Sequence, residues 1–216
     1  MEHTSKMIAA HLLRIGAVFL RPEEPFTWAS GIRSPIYCDN RLILSYPLIR
    51  KDVENGLAAL IEENFQNVEG LFGTATAGIA HAALVSDILD LPMGYVRGSA
   101  KDHGRTNRIE GRCEPGQRVV VIEDLISTAK SCVETADALR EAGCNVLGVV
   151  SIFTYGMQAS KQAFESIGLP SYSLTDLDTL LDVAVEYGFV DERGRQQVLR
   201  FAKQPDDPSW QDIPVL

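Results

Sequence analysis

The chain has 216 residues, 45% hydrophobic and 23% charged, which is enough to bury a full core as one domain. It carries 20 basic against 29 acidic side chains, a net charge of −9, and this argues against non-specific binding to nucleic acid or to an anionic membrane. No apolar run approaches the roughly 20 residues needed to span a bilayer.

The amphipathic start, MEHTSKMIAAHLLRIG, lacks a cleavable hydrophobic core. It predicts a protein with no signal peptide, resident in the cytoplasm. Thr4 is the expected cap of a first helix carrying Met7, Ile8, Leu12 and Leu13 and ending at Gly16, followed by a short strand from Ala17 to Leu20. Residues 26–41, FTWASGIRSPIYCDNR, are punctuated by Gly31 and Pro35 and read as two short extended pieces around a turn. The segment is either a surface hairpin packed by Trp28 and Tyr37 or a small lobe that covers a ligand. Residues 45–66 show a helical stripe at Ile49, Val53, Leu57, Leu60, Ile61 and Phe65.

A strand at Gly70–Gly73 then runs through Thr74, Ala75, Thr76, Ala77 and Gly78 into a helix marked by Ile79, Ala82, Val85, Ile88 and Leu89. Small side chains at such a turn let backbone N–H groups approach an anion. Without a ligand the same residues make a tight connection and nothing more. Pro92–Arg97 is the next strand. Residues 98–112, GSAKDHGRTNRIEGR, are almost devoid of apolar side chains and cannot pack a core. From Arg97 to Arg112 there are five basic side chains (Arg97, Lys101, Arg105, Arg108, Arg112) against two acidic ones (Asp102, Glu110). A basic island in an acidic chain predicts a mobile lid that clamps an anion.

The most informative stretch is VVVIEDLISTAKS, residues 119–131. Val119–Ile122 is a strand buried on both faces, as inside a parallel sheet. It leads to Glu123 and Asp124, then Leu125 and Ile126, then the turn Ser127-Thr128-Ala129-Lys130-Ser131. The helix that follows places Val133, Ala136, Leu139 and Ala142 on one face, with Gly143 at its C-cap. Backbone N–H groups at that helix start aim at a phosphate, aided by the helix dipole. The two carboxylates repel a phosphate, so their partners are sugar hydroxyls, a divalent cation or a developing positive charge. A phosphorylated sugar satisfies both halves.

Asn145–Phe153 is another buried strand, followed by a helix at Met157–Ile167, a short strand at 171–174, and helices at Leu177–Tyr187 and Asp191–Ala202. The tail, residues 204–216, contains three prolines and is expected to be irregular. With no repeat and no linker, residues 1–216 are expected to form a single domain. The alternation of strands and helices predicts a parallel α/β sheet flanked by helices, with loops 74–78, 98–112 and 123–131 together at the carboxyl ends of the strands. The cysteines, Cys38, Cys113, Cys132 and Cys144, form no C-x-x-C pair and have no histidines at metal spacing. All four are expected to be reduced thiols without a chemical role. His3, His11 and His81 read as surface or packing residues.

Five stretches carry a family resemblance: FTWASGIRSPIYCDNR (26–41), GTATAGIAHA (73–82), YVRGSAKDHGRTNRIEG (95–111), VVVIEDLISTAKS (119–131) and LTDLDTLLDVAVEYG (174–188). Along nearly the full length, to about residue 203, the chain resembles the orotate phosphoribosyltransferases. The resemblance implies a type I phosphoribosyltransferase fold with a small N-terminal hood, mainly residues 17–41, over the sheet edge. It implies magnesium-dependent transfer of ribose 5-phosphate from phosphoribosyl diphosphate to orotate, in pyrimidine synthesis. It also implies a homodimer in which each lid reaches the neighbour's site.

By motif match, Ser127, Thr128, Ala129, Lys130 and Ser131 hold the 5-phosphate, in a loop that also includes Leu125 and Ile126. Glu123 and Asp124 hold the ribose hydroxyls. Arg97, Lys101 and His103 grip the diphosphate, and Thr74 to Gly78 form its backbone loop. Ser127 also faces orotate, with backbone near Ser30 and Gly31 in the hood. Lys101, His103 and Asp124 are the implied catalytic residues, and magnesium is held mainly through the diphosphate with no direct protein ligand.

The chain departs from the family pattern in three places. Ala129 stands where a glycine is usual, Gly98-Ser99 stand where many members have a lysine, and Tyr155 falls near a base-contacting arginine of some members. A phosphoribosyltransferase for another base, and a non-catalytic nucleotide-sensing paralogue, share the fold. The Lys101-Asp102-His103 run and the hood motif argue against the first, and the acidic balance argues against an RNA-binding form of the second.

Overall fold

The computed structural model describes residues 2–27, 31–98 and 108–213. Six strands make the central sheet: β5 (Gly70–Thr74), β6 (Met93–Val96), β7 (Ile109–Glu110), β8 (Arg118–Ile126), β9 (Asn145–Thr154) and β10 (Ser171–Asp176). Their spatial order is β10-β9-β8-β5-β6-β7, parallel throughout except for the antiparallel edge strand β7. Parallel neighbours require crossovers, and the helices supply them: α3 (Gly78–Leu89) after β5, α4 (Lys130–Glu141) after β8, and α5 (Gln158–Ser166) after β9.

The continuous apolar run in β8 follows from burial on both faces. Val120 and Ile122 join the core that also contains Ala82 and Val85 of α3. Val119 and Val121 join the opposite core, with Cys132, Ala136 and Leu139 of α4. The expected α/β sheet with helices on both faces is therefore present. Chain order reverses between β5 and β8: the chain leaves β5 toward β6 on one side, then returns to β8 on the other. Helices α3 and α4 depart from adjacent strands onto opposite faces, and this opens a crevice at the carboxyl ends of β5 and β8.

The N-terminal part packs on the α3 face. Helix α1 (Glu2–Arg14) and helix α2 (Pro47–Asn64) bury Leu12, Val53, Leu57 and Ile61 there, and the stripe read in residues 45–66 is the buried face of α2. Thr4 lies inside α1 and does not cap it, because the Glu2–Lys6 ion pair at 3.0 Å carries the helix one turn further back. The hood consists of two small antiparallel pairs. Strand β1 (Val18–Leu20) pairs with β4 (Ile36–Cys38), and β2 (Phe26–Thr27) pairs with β3 (Arg33–Ser34). A 3-10 helix at Asn40–Ser45, capped by Asp39, joins the hood to α2.

At the other end, α6 (Leu177–Glu186) and α7 (Glu192–Lys203) are capped by Asp176 and Asp191. The tail differs from the expectation of irregular chain. Asp207 caps a 3-10 helix at Pro208–Asp212, and Trp210, 1% exposed, packs edge-on against Phe201 at 5.9 Å. Burying one large aromatic outweighs the helix-breaking prolines around it.

The reading of four free thiols is corrected at two positions: Cys113 and Cys144 form a disulfide 31 residues apart in sequence. Cys38 and Cys132 are free. The pairing has no signature in sequence because the fold makes it. Gly116 N–H donates to the Gly143 carbonyl at 2.8 Å and Asn145 N–H to the Gln117 carbonyl at 2.8 Å, so the segment entering β8 lies against the segment entering β9. None of the helices among the described residues is long and apolar enough to cross a membrane.

Candidate active site

Strand β8 extends through the acidic pair, so Glu123, Asp124, Leu125 and Ile126 all belong to it. Glu123 and Asp124 point in different directions because strand side chains alternate. Glu123 is turned inward and is 4% exposed. Its Oε1 accepts the Asp124 N–H at 3.0 Å, and its Oε2 accepts the Ser131 hydroxyl at 2.8 Å. Burial, reinforced by the neighbouring Asp124 carboxylate, pushes the Glu123 carboxyl up to about 8. The Glu123 carboxyl therefore keeps its proton to higher pH than an ordinary carboxylate does. Asp124, half-buried, is the more accessible of the two.

The turn after β8 is a helix start with no side-chain cap. Its N-cap is Ala129, at φ +64° and ψ 9°, in the left-handed region that usually selects glycine. Ala129 is buried, while Thr128 and Lys130 are exposed and Ser127 is half-buried. The first N–H groups of α4 thus have no side-chain acceptor, and the helix dipole adds to their attraction for an anion. The Ser131 hydroxyl ties the helix start to Glu123 at 2.8 Å.

The turn after β5 lies alongside. Thr74 ends the strand, Ala75 N–H donates to the Val96 carbonyl at 3.0 Å, the Ala75–Thr76 peptide is cis, and Ala77 caps α3. Two glycines make this closeness possible. A Cβ on Gly78 collides with the Ile122 carbonyl oxygen of β8, and one on Gly73 lies 2.7 Å from the Gly78 carbonyl oxygen. Backbone therefore meets backbone across the crevice with no side chain between. Behind the turn, His81 Nδ1 and Glu54 Oε1 are 2.8 Å apart, both side chains buried. Burial raises the Glu54 carboxyl. His81 is the packing residue it was read as, though a polar one.

The basic segment has its roots at the same edge. Arg97 N–H donates to the Arg108 carbonyl and Arg108 Nε to the Arg97 carbonyl, both at 2.9 Å, and Ile109 pairs with Val96. Arg97 and Arg108 therefore lie together at the carboxyl end of β6, next to β5. Arg97 Nε sits 3.3 Å from the Glu110 carboxylate. Lys101 and His103, placed in the lid by sequence, and Ser30, placed in the hood, lie outside the described residues. Gly31 is exposed at φ +86°.

One functional neighbour was not legible from spacing. Asn40, fully buried, donates from Nδ2 to the Asp124 carbonyl at 2.7 Å and accepts from the Cys38 thiol at 3.2 Å, fastening the hood to the acidic strand tip. The polar run CDNR closing an otherwise apolar strand was its sole signal. Tyr155, just past β9, shares this wall. Its ring meets Phe153 edge-on at 5.3 Å, and burial, with Cys38 and Tyr37 close by, pushes its phenol up.

Magnesium fits this donor set in a limited way. Among the described residues no group of three or more His, Cys, Asp or Glu side chains could cage a metal ion. An acidic strand tip beside a phosphate site suits an ion held mostly by the ligand's own phosphate oxygens.

A doubly wound sheet with an acidic strand tip, an uncapped phosphate turn and a facing glycine turn defines a phosphoribosyltransferase. Residues 42–167 match the family model described as "Phosphoribosyl transferase domain". An orotate phosphoribosyltransferase of Bacillus anthracis is 57% identical over 205 residues, covering 95% of this chain and 98% of its own. The solved orotate phosphoribosyltransferase of Aeropyrum pernix is 30% identical, with TM-score 0.74, over 85% of this chain and 99% of its own. A Mycobacterium tuberculosis orotate phosphoribosyltransferase solved with 5-phospho-alpha-D-ribosyl 1-diphosphate shares the fold, with TM-score 0.63 at 21% identity, over 82% of this chain and 98% of its own. The chain belongs to the orotate phosphoribosyltransferase family.

Proposed function

We propose that the chain transfers the ribose 5-phosphate group of phosphoribosyl diphosphate to orotate, giving orotidine 5′-monophosphate and diphosphate. The observation that carries this reading is the crevice between β5 and β8. It joins an uncapped helix start to a half-buried carboxylate, Asp124, the pairing that a phosphorylated sugar requires.

In this reading the loop from Ser127 to Ser131 grips the 5-phosphate and sets the depth of the sugar. Asp124 accepts the ribose hydroxyls and, as the anomeric C–O bond breaks, stabilises positive charge building on the ring, as carboxylates do in glycosidases. The electron pair of that bond leaves with the diphosphate, the orotate ring nitrogen forms the new C–N bond, and its proton is shed. Backbone groups of Thr74–Gly78 line the diphosphate side, and Arg97, Lys101 and His103 neutralise the leaving charge. Bound magnesium adds positive charge to the diphosphate. Closure of the basic segment excludes water, which otherwise hydrolyses the activated sugar. The homodimer with shared lids, the cytoplasmic site of action and the place in pyrimidine synthesis are part of the same proposal. They rest on family membership.

Orotate depletion in the presence of phosphoribosyl diphosphate and magnesium tests the reading, and no depletion overturns it. Lys101→Ala is expected to lose about 10²–10³ in turnover while remaining folded by circular dichroism. Unchanged turnover removes Lys101 from the mechanism.

A further inference from the structure

Orotate differs from uracil by a carboxylate, so a site that prefers it needs a cation held close to, but not cancelled by, the acidic tip of β8. We propose that Arg41, at the root of the hood, is that cation and binds the carboxylate of orotate and of its nucleotide product. This rests on the reading above and names the residue that gives the site its base specificity.

Several other basic side chains among the described residues face partners of their own. Arg97 faces Glu110 at 3.3 Å, Arg108 and Lys130 each lie 3.9 Å from Glu134, and Arg21 covers the rings of Phe19 and Phe26. Arg41 follows Asn40, the residue whose Nδ2 holds the Asp124 carbonyl at 2.7 Å, so its backbone is tied to the site. Its charged form is stabilised above all by Asp39.

The guanidinium is also oriented in advance. Nε and Nη2 donate to the two Asp39 carboxylate oxygens at 2.6 and 2.7 Å, and the Arg41 N–H donates to Asp39 Oδ1 at 3.2 Å. That fork uses two of the five guanidinium N–H donors and fixes the plane of the group, leaving three donors for a second planar anion. The side chain is 64% exposed, so the Asp39 pair is a surface pair of small net strength and does not consume the charge. Asp39 acts as a positioning residue and Arg41 as the binding group. A carboxylate fits this fork, whereas the unsubstituted C6–H of uracil gains nothing from it.

Calorimetric titration with orotidine 5′-monophosphate and with uridine 5′-monophosphate isolates the contact, because the two nucleotides differ in the carboxylate alone. A charge-assisted hydrogen bond of the usual strength corresponds to about tenfold to hundredfold in affinity. Arg41→Gln is expected to weaken orotidine 5′-monophosphate by that factor and leave uridine 5′-monophosphate within about twofold, with Arg41→Lys between them because it keeps charge without the fork. Parallel loss of both nucleotides indicates a merely structural role, and no loss of either removes Arg41 from the site; each result overturns the proposal. If the unaltered chain binds neither nucleotide, the functional reading itself fails. If it binds both with Arg41→Gln indistinguishable, only the Arg41 assignment fails.

Discussion

The two turns that meet at the crevice do related work by opposite means. The turn after β5 is built by removal: glycines at 73 and 78 strip away side chains so that backbone packs on backbone. The turn after β8 is built by addition. Glu123 reaches forward to Ser131, Asn40 reaches in from the hood, Ala129 accepts a left-handed backbone, and the Cys113–Cys144 disulfide brackets the whole strand–turn–helix unit. A turn made by removal tolerates no added atom. A turn held by several side-chain contacts can be loosened in steps.

The largest effect expected from breaking this contrast is on the bracket. A disulfide closing a loop of this length stabilises the fold by about 3–4 kcal/mol in the chain-entropy account. Melting the protein with and without dithiothreitol, alongside a thiol titration, should show two new thiols and a midpoint lower by roughly 10 °C. An unchanged thiol count refutes the bond. Next comes Gly78→Ala, whose methyl collides with the Ile122 carbonyl. It should cost about 1–3 kcal/mol or more in stability, read by denaturant midpoint, together with affinity for phosphoribosyl diphosphate. A variant as stable and tight-binding as the parent shows that the two backbones are not in register as described.

The acidic tip gives a third test. Glu123 titrates at about 8 in the folded chain against 4.5 as its ordinary value, so between those values the folded state holds a proton that the unfolded state has lost. The stability this supplies is complete below about pH 4.5 and disappears as pH rises through about 8. Glu123→Gln, neutral throughout, should flatten the decline in melting temperature across that window, and an equally steep decline assigns the effect to another group. The smallest effect belongs to Ala129→Gly. Release from the left-handed conformation returns about 1–2 kcal/mol, and greater freedom of the unfolded chain takes back about 0.4–1. A melting temperature raised by about 2 °C is expected, and a fall contradicts the positive φ.

The sequence made the second turn more legible than the first. Val119–Ile122 announced a buried parallel strand, the acidic pair and hydroxyl turn announced a sugar phosphate, and Gly143 marked the end of the helix; the structure has the strand, turn and helix end in those places. Periodicity does not tell which way a carboxylate faces. Glu123 and Asp124 read as equals, and only strand alternation combined with the packing of α4 turns one inward. The β5 turn was ambiguous because GTATAG offers only small, uncharged side chains, its content being the closeness of two backbones. Contacts made across long stretches of chain were hidden for the same reason. Asn40 with Asp124, His81 with Glu54, Cys113 with Cys144 and Trp210 with Phe201 are all products of the tertiary path.

Trp210 has a practical corollary. Its indole is buried against Phe201, which makes the stretch around it a stopper for the last α-helix. Trimming that treats these residues as dispensable uncorks an apolar hollow, and a protease able to nip there reports on the integrity of the entire body.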